Sequence, residues 1–177
     1  MTAISTEAMP SGYPGIFAAG SVVSLQLFVP GDPIAQSRPR ARVIPGPKPR
    51  PQIYEDRQSA EYKDLVAQVV RYQALKTPVV EVGAGGDFLL PFADVRCLIK
   101  LRFNMAKPIS YPKRVVDHTK RPDFDNLAKG VVDGIVRAGI LKDDGCITDA
   151  TVQKRYADDD HPVGVEIDLK VMPTEVV

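Results

Sequence analysis

The chain has 177 residues, 44% of them hydrophobic and 25% charged, and its 23 basic and 22 acidic residues leave a net charge of +1. This is the size and composition of one globular domain with a single buried core, and no apolar run is long enough for a membrane-spanning helix. Cys97 and Cys146 are too few for a disulfide framework and lack metal-ligand spacing, so two free thiols in a reducing cytoplasm are expected.

Residues 1–20 contain Pro10, Gly12, Pro14 and Gly15 and have neither a basic n-region nor a continuous apolar stretch. They read as a flexible tail and not as a signal peptide, which leaves residues 21–177 for the domain. Val22 to Val29 alternates, with Val23, Leu25, Leu27 and Val29 on one face, and predicts a strand that ends at Pro30-Gly31-Asp32-Pro33. Ala35 to Gln52 is rich in proline and arginine and reads as a loop. Glu55 to Tyr72 predicts a helix with Asp56 as N-cap and a buried stripe of Tyr62, Leu65, Val66, Val69 and Val70. Lys76 to Pro91, with Gly83, Gly85 and Gly86, reads as a connecting loop.

Val95 to Phe103 alternates again and predicts a half-buried strand whose outer face carries Arg96, Lys100 and Arg102. Ala106 to Lys120 holds Pro108 and Pro112 and reads as a basic loop. Asn126 to Ala138 predicts a second helix, with Leu127, Val131, Ile135 and Ala138 facing the core and Gly139 as its stop. Ile147 to Tyr156 and Val163 to Val171 predict two further strands joined by a turn at Asp158 to Pro162. The order β-α-β-α-β-β predicts an α+β single domain, a mixed sheet with helices packed on a face.

Charge is segregated along this order. Between Gln36 and Arg50 stand Arg38, Arg40, Arg42, Lys48 and Arg50 with no acid, and between Arg96 and Arg121 stand eight bases against Asp117 alone. The acids gather from Asp123 to Asp149 and at Asp158 to Asp160. Such a distribution makes a positive footprint around an acidic centre.

The acidic centre carries the chemistry. Asp123 and Asp125 stand at a helix start, Lys129 lies one turn on, and Lys142-Asp143-Asp144 follows the helix. Asp125, Lys129 and Asp133 share one stripe, separate from the core stripe. Each part alone has a bland reading: a helix cap, an i, i+4 ion pair, a turn. Together, behind His118-Thr119-Lys120-Arg121, they favour a site where carboxylates hold a divalent cation, since neighbouring carboxylates repel unless a positive charge compensates them. Asp143 and Asp144 join that site only if the chain folds back beside the helix. Asp158-Asp159-Asp160-His161 also resembles a ligand cluster, but it lies in a turn where Asp is favoured for backbone reasons. His118 is read either as a phosphate contact or as an ordinary loop residue.

The run Lys120-Arg121-Pro122-Asp123-Phe124-Asp125-Asn126-Leu127-Ala128-Lys129, with Asp133, Ala138-Gly139 and Lys142-Asp143-Asp144, resembles the signature of RusA-type Holliday junction resolvases. Gly31 to Arg40 is similar to the N-terminal loop of phage members, and the resemblance spans Val22 to about Val171. It implies a small homodimeric, Mg2+-dependent endodeoxyribonuclease of phage or prophage origin, acting on four-way DNA junctions in a bacterial cytoplasm. Carried over by position, Asp123, Asp125 and Asp144 become metal-binding carboxylates, Lys129 the catalytic lysine, and Asn126 and Asp143 supporting residues. Lys154 falls where the family often has a lysine. Arg38, Arg40, Arg42, Lys113, Arg114, Lys120 and Arg121 become DNA-binding residues, holding phosphates without reading sequence. The N-terminal tail and the Lys76 to Asp94 connection are longer than in compact members. Two other functions fit the same residues: a branched-DNA-binding protein without catalysis, and a nuclease for flaps or other branches.

Overall fold

The computed structural model describes residues 22–38, 40–45, 48, 50–77, 91–92, 95–112 and 114–174, without the side chains of Arg40, Arg42, Ile53 and Pro173. The expected N-terminal tail, most of the Lys76 to Pro91 connection and Lys113 lie outside the described residues. The elements are β1 (Val23–Pro30), β2 (Arg40–Ile44), β3 (Arg50–Tyr54), α1 (Arg57–Leu75), β4 (Val95–Met105), α2 (Phe124–Arg137), a 3-10 turn (Asp144–Cys146), β5 (Ile147–Tyr156) and β6 (Gly164–Pro173). Among the described residues no helix is long and apolar enough to cross a membrane.

Four strands form a mixed sheet in the order β1-β6-β4-β5, with β4 and β5 parallel and the other pairs antiparallel. Alternation decides its faces. Leu25, Leu27, Val29, Cys97, Ile99, Leu101, Phe103, Val165, Ile167, Leu169 and Val171 are buried towards the helices. Arg102 on the opposite face pairs with Glu166 at 2.7 Å, and Glu166 also accepts from Asn104 at 2.9 Å. The α+β reading with a mixed sheet therefore holds.

One expectation is corrected. Part of the segment read as a loop from Ala35 to Gln52 is a two-stranded hairpin, β2 against β3, in which Arg42 faces Gln52 and Ile44 faces Arg50. Its Val43 is 65% exposed and Ile44 46%, so it projects from the core and is held by its roots. Gln36 N donates to the carbonyl of Asn126 at 2.9 Å, and Ser37 N to Ser59 Oγ at 2.9 Å.

The two helices pack against each other as well as on the sheet. At Gly134 of α2 an added Cβ would lie 2.5 Å from Val66 Cγ1 of α1, so only glycine permits this approach. Leu65, expected on the buried stripe of α1, is 41% exposed, while Lys63 is buried in its place. The stop at Gly139 is as expected: with φ at +70° its N–H reaches the carbonyl of Val136 and that of Ile140 reaches Ile135, closing the last turn. The chain beyond is pinned by Phe92, which donates to the carbonyl of Ile140 at 2.8 Å and accepts from Lys142 N at 3.1 Å. That pinning turns the next residues back along α2.

Candidate metal and nucleic-acid site

Asp123 takes the N-cap position of α2 in an extended conformation, φ −71° and ψ 143°, but its side chain makes no capping bond. Asp125 lies in the first turn. Both are exposed, and among the described residues neither carboxylate has a hydrogen-bond or ion-pair partner. Two uncompensated carboxylates at a helix N-terminus gain from the helix dipole, and their oxygens suit a hard divalent cation.

Lys129 follows one turn later and joins the two halves of the motif. Its ammonium donates to Asp144 Oδ2 at 2.8 Å and stands 2.9 Å from Asp133 Oδ1. The chain does fold back, and Asp144 reaches the side of α2. The hydrogen bonds of Asp144 and then Asp133 raise the pKa of Lys129, and Lys129 in turn holds the Asp144 carboxyl below its ordinary range. Asp143 serves the turn itself, accepting from Gly145 N at 2.8 Å. Asn126 contributes its carbonyl to the root of the hairpin. Among the described residues no three Asp, Glu, His or Cys side chains stand where they could together hold a metal ion.

The approach to Asp123 is built by β5. A cis peptide joins Arg121 to Pro122 immediately before the helix. The Lys154 ammonium donates to the carbonyls of Lys120 and Pro122, each at 2.6 Å, so a strand side chain fastens the turn that presents Asp123. The same segment is tied to β5 through His118 N to the Lys154 carbonyl at 3.3 Å and Tyr156 N to the Val116 carbonyl at 2.7 Å. His118 is buried against Tyr156, ring centroids 4.9 Å apart and nearly perpendicular. Burial and then Lys154 push its pKa down, and its ring packs on Tyr156.

Arg38, Arg114 and Arg121 are exposed and lack ion-pair partners among the described residues. Lys120 stands over the Tyr111 ring, 4.7 Å from its centroid. Lys113 and the side chains of Arg40 and Arg42 lie outside the description. Asp158 accepts from Asp160 N at 3.2 Å and His161 N at 2.8 Å, which is a turn role and not a ligand cluster. A cavity of about 950 Å³ lies on the polar face of the sheet between Gln26, Lys100, Arg102 and Asp168, and none of the candidate residues lines it.

Lys63 escaped the sequence reading. It is 5% exposed, pairs with Glu55 and Asp133 at 2.7 Å each, and so connects α1 to the Lys129 side of α2. Its signal was present: it precedes Val66, Ala67 and Val70 by three, four and seven residues, on the helix's inward face.

This arrangement lies inside a match to known proteins. The family described as Endodeoxyribonuclease RusA matches residues 30–170. The chain belongs to the RusA endodeoxyribonuclease family. The match takes in β1's end, the hairpin, both helices and the sheet, together with every candidate carboxylate. A protein of Bacillus subtilis (strain 168), described as uncharacterized protein YqaN, is 27% identical over 143 residues, covering 76% of this chain and 89% of its own. RusA proteins are endodeoxyribonucleases that act on Holliday junctions, so the candidate site is set in a nuclease fold.

Proposed function

We propose that the chain is a Mg2+-dependent endodeoxyribonuclease that resolves four-way DNA junctions by paired, symmetric cuts, acting as a homodimer through the domain spanning residues 21–177. The observation that carries this reading is the bond from Lys129 to Asp144 beside the uncompensated pair Asp123 and Asp125. It brings Asp144 to the lysine that stands one turn after Asp125 on α2.

Asp123, Asp125 and Asp144 are the residues that would hold the cation. When bound, Mg2+ supplies positive charge to phosphate oxygens and acidifies water for attack on the phosphodiester. Lys129 places its ammonium where negative charge grows on the phosphate. Asp144 and Asp133 keep that ammonium charged. Lys154 sets the Asp123 turn. Arg38, Arg40, Arg42, Lys113, Arg114, Lys120 and Arg121 hold flanking phosphates, which makes binding salt-dependent. Two copies related by a two-fold axis would offer two sites to the two strands that must be cut.

A second reading, branched-DNA binding without catalysis, is favoured by one observation. Lys129 already occupies an oxygen of Asp144, and among the described residues the carboxylates do not close into a cage. The variant Asp125→Asn separates the two. Under the first reading it abolishes cutting and leaves junction binding intact; cutting retained by this variant rejects the assignment. Four-way, three-way and flap substrates, compared side by side, test the junction preference.

A further inference from the structure

A lysine buried in a helix interface needs a reason. Removing an ammonium from water is costly, and an apolar residue of similar volume would stabilise the same place as well or better. Lys63 nevertheless lies where α1 meets α2, within ion-pair distance of two carboxylates. It is 2.7 Å from Glu55 Oε1 and 2.7 Å from Asp133 Oδ2. With the Gln36 amide oriented to satisfy both neighbours, its oxygen accepts from Lys63 at 3.0 Å and its nitrogen donates to Asp133 at 3.3 Å.

Asp133 divides its oxygens between two lysines. Oδ2 is held by buried Lys63, and Oδ1 is presented to Lys129 at 2.9 Å. Lys129 stands on a four-carbon stem that is half exposed, and such a flexible stem does not by itself settle on one rotamer. A carboxylate that is itself fixed from beneath does confine it. The roots of the hairpin enter the same network, Gln36 ahead of β2 and Glu55 after β3.

We infer that Lys63 and Asp133 are positioning residues for Lys129, a buried pair that aims its ammonium at the scissile phosphate; this deepens, and rests on, the reading of the site as a nuclease centre. Neither residue touches DNA. They act by holding a third that does.

The test is a double-mutant cycle read by single-turnover cleavage of a synthetic four-way junction and by junction affinity. Asp133→Asn should slow cutting about tenfold through misplacement of the reacting group, with affinity changed less than about twofold. On a Lys129→Met background the same substitution should cost nothing further, because the residue through which it acts is gone. Asp133→Glu, which keeps the charge, should restore most of the rate. Should Asp133→Asn fail to fold, the set Lys63→Met, Glu55→Gln and Asp133→Leu takes its place in the cycle, since it removes both carboxylate partners together with the lysine. An equal loss on both backgrounds, or a normal rate in Asp133→Asn, overturns the inference while leaving the nuclease reading intact. A native protein that cuts no branched DNA overturns both.

Discussion

The Lys129 ammonium donates to Asp144 Oδ2 at 2.8 Å across fifteen residues of chain, and this bond ties the turn after α2 to the helix. If Lys129 meets the developing charge on the phosphate, its loss falls on chemistry more than on binding. Lys129→Ala is expected to slow single-turnover cutting about a hundredfold, the scale for removing one charge-stabilising donor. Junction affinity should fall only as far as one lost phosphate contact demands. Equal losses of rate and affinity would give Lys129 a binding role instead.

Lys154 acts one step further out. Its two 2.6 Å bonds to the carbonyls of Lys120 and Pro122 fasten the turn before Asp123. In Lys154→Met those carbonyls lose their partner, and local opening of the turn becomes easier. Hydrogen exchange at the amides of His118 and Leu127, which donate to the carbonyls of Lys154 and Asp123, should speed up while the amides of β4 and β6 keep native protection. Uniform acceleration across the sheet would mean that Lys154 supports the whole fold and not this turn.

The contact of the two helices gives a stability test away from the site. A Cβ at Gly134 would stand 2.5 Å from Val66 Cγ1 and 3.3 Å from the carbonyl of Lys63. Gly134→Ala should therefore cost about 1–3 kcal/mol, the range for overpacking a filled core, despite alanine's better helix propensity. Chemical denaturation of the variant and the native protein measures it. An unchanged or raised midpoint would mean that the helices separate without cost.

Acid should weaken the interhelical network in a defined direction. Burial works against the charged form of Asp133, but its bonds to Lys63 and Lys129 prevail and hold its pKa below the ordinary 3.8. A depressed folded-state value means that the stabilisation is present above 3.8 and is lost as pH falls through the folded value. Native stability should decline below about pH 4 more steeply than that of Asp133→Asn. Parallel curves for the two proteins would show that Asp133 does not contribute.

Much of this was legible in the chain. The strands β1, β4 and β6 declare themselves because each buries one face and exposes the other, and Leu25, Ile99 and Ile167 sit where alternation puts them. The helix α2 is bounded by Asp123 and Gly139, residues whose backbone preferences mark its ends. The hairpin β2–β3 was not legible, since its prolines and arginines serve no core and give no alternation to follow. Hydrophobicity alone places Leu65 inside and Lys63 outside; the Glu55 and Asp133 carboxylates beside the lysine make its burial tolerable. The candidate site was half legible. Asp123, Asp125 and Lys129 share a local motif, whereas the return of Asp144 depends on Phe92 pinning the chain after α2. The Lys154 clamp is likewise a tertiary contact with no local pattern.

The central claim is that these residues cut branched DNA. Its most direct test is a labelled-strand cleavage assay on a synthetic four-way junction, with and without Mg2+, with linear duplex and Asp125→Asn protein as controls. The account predicts paired, symmetric cuts in the junction that require Mg2+ and are absent from the duplex and from the variant. Tight junction binding with no cuts at any Mg2+ concentration would contradict it and leave the chain a DNA-binding member of a nuclease family.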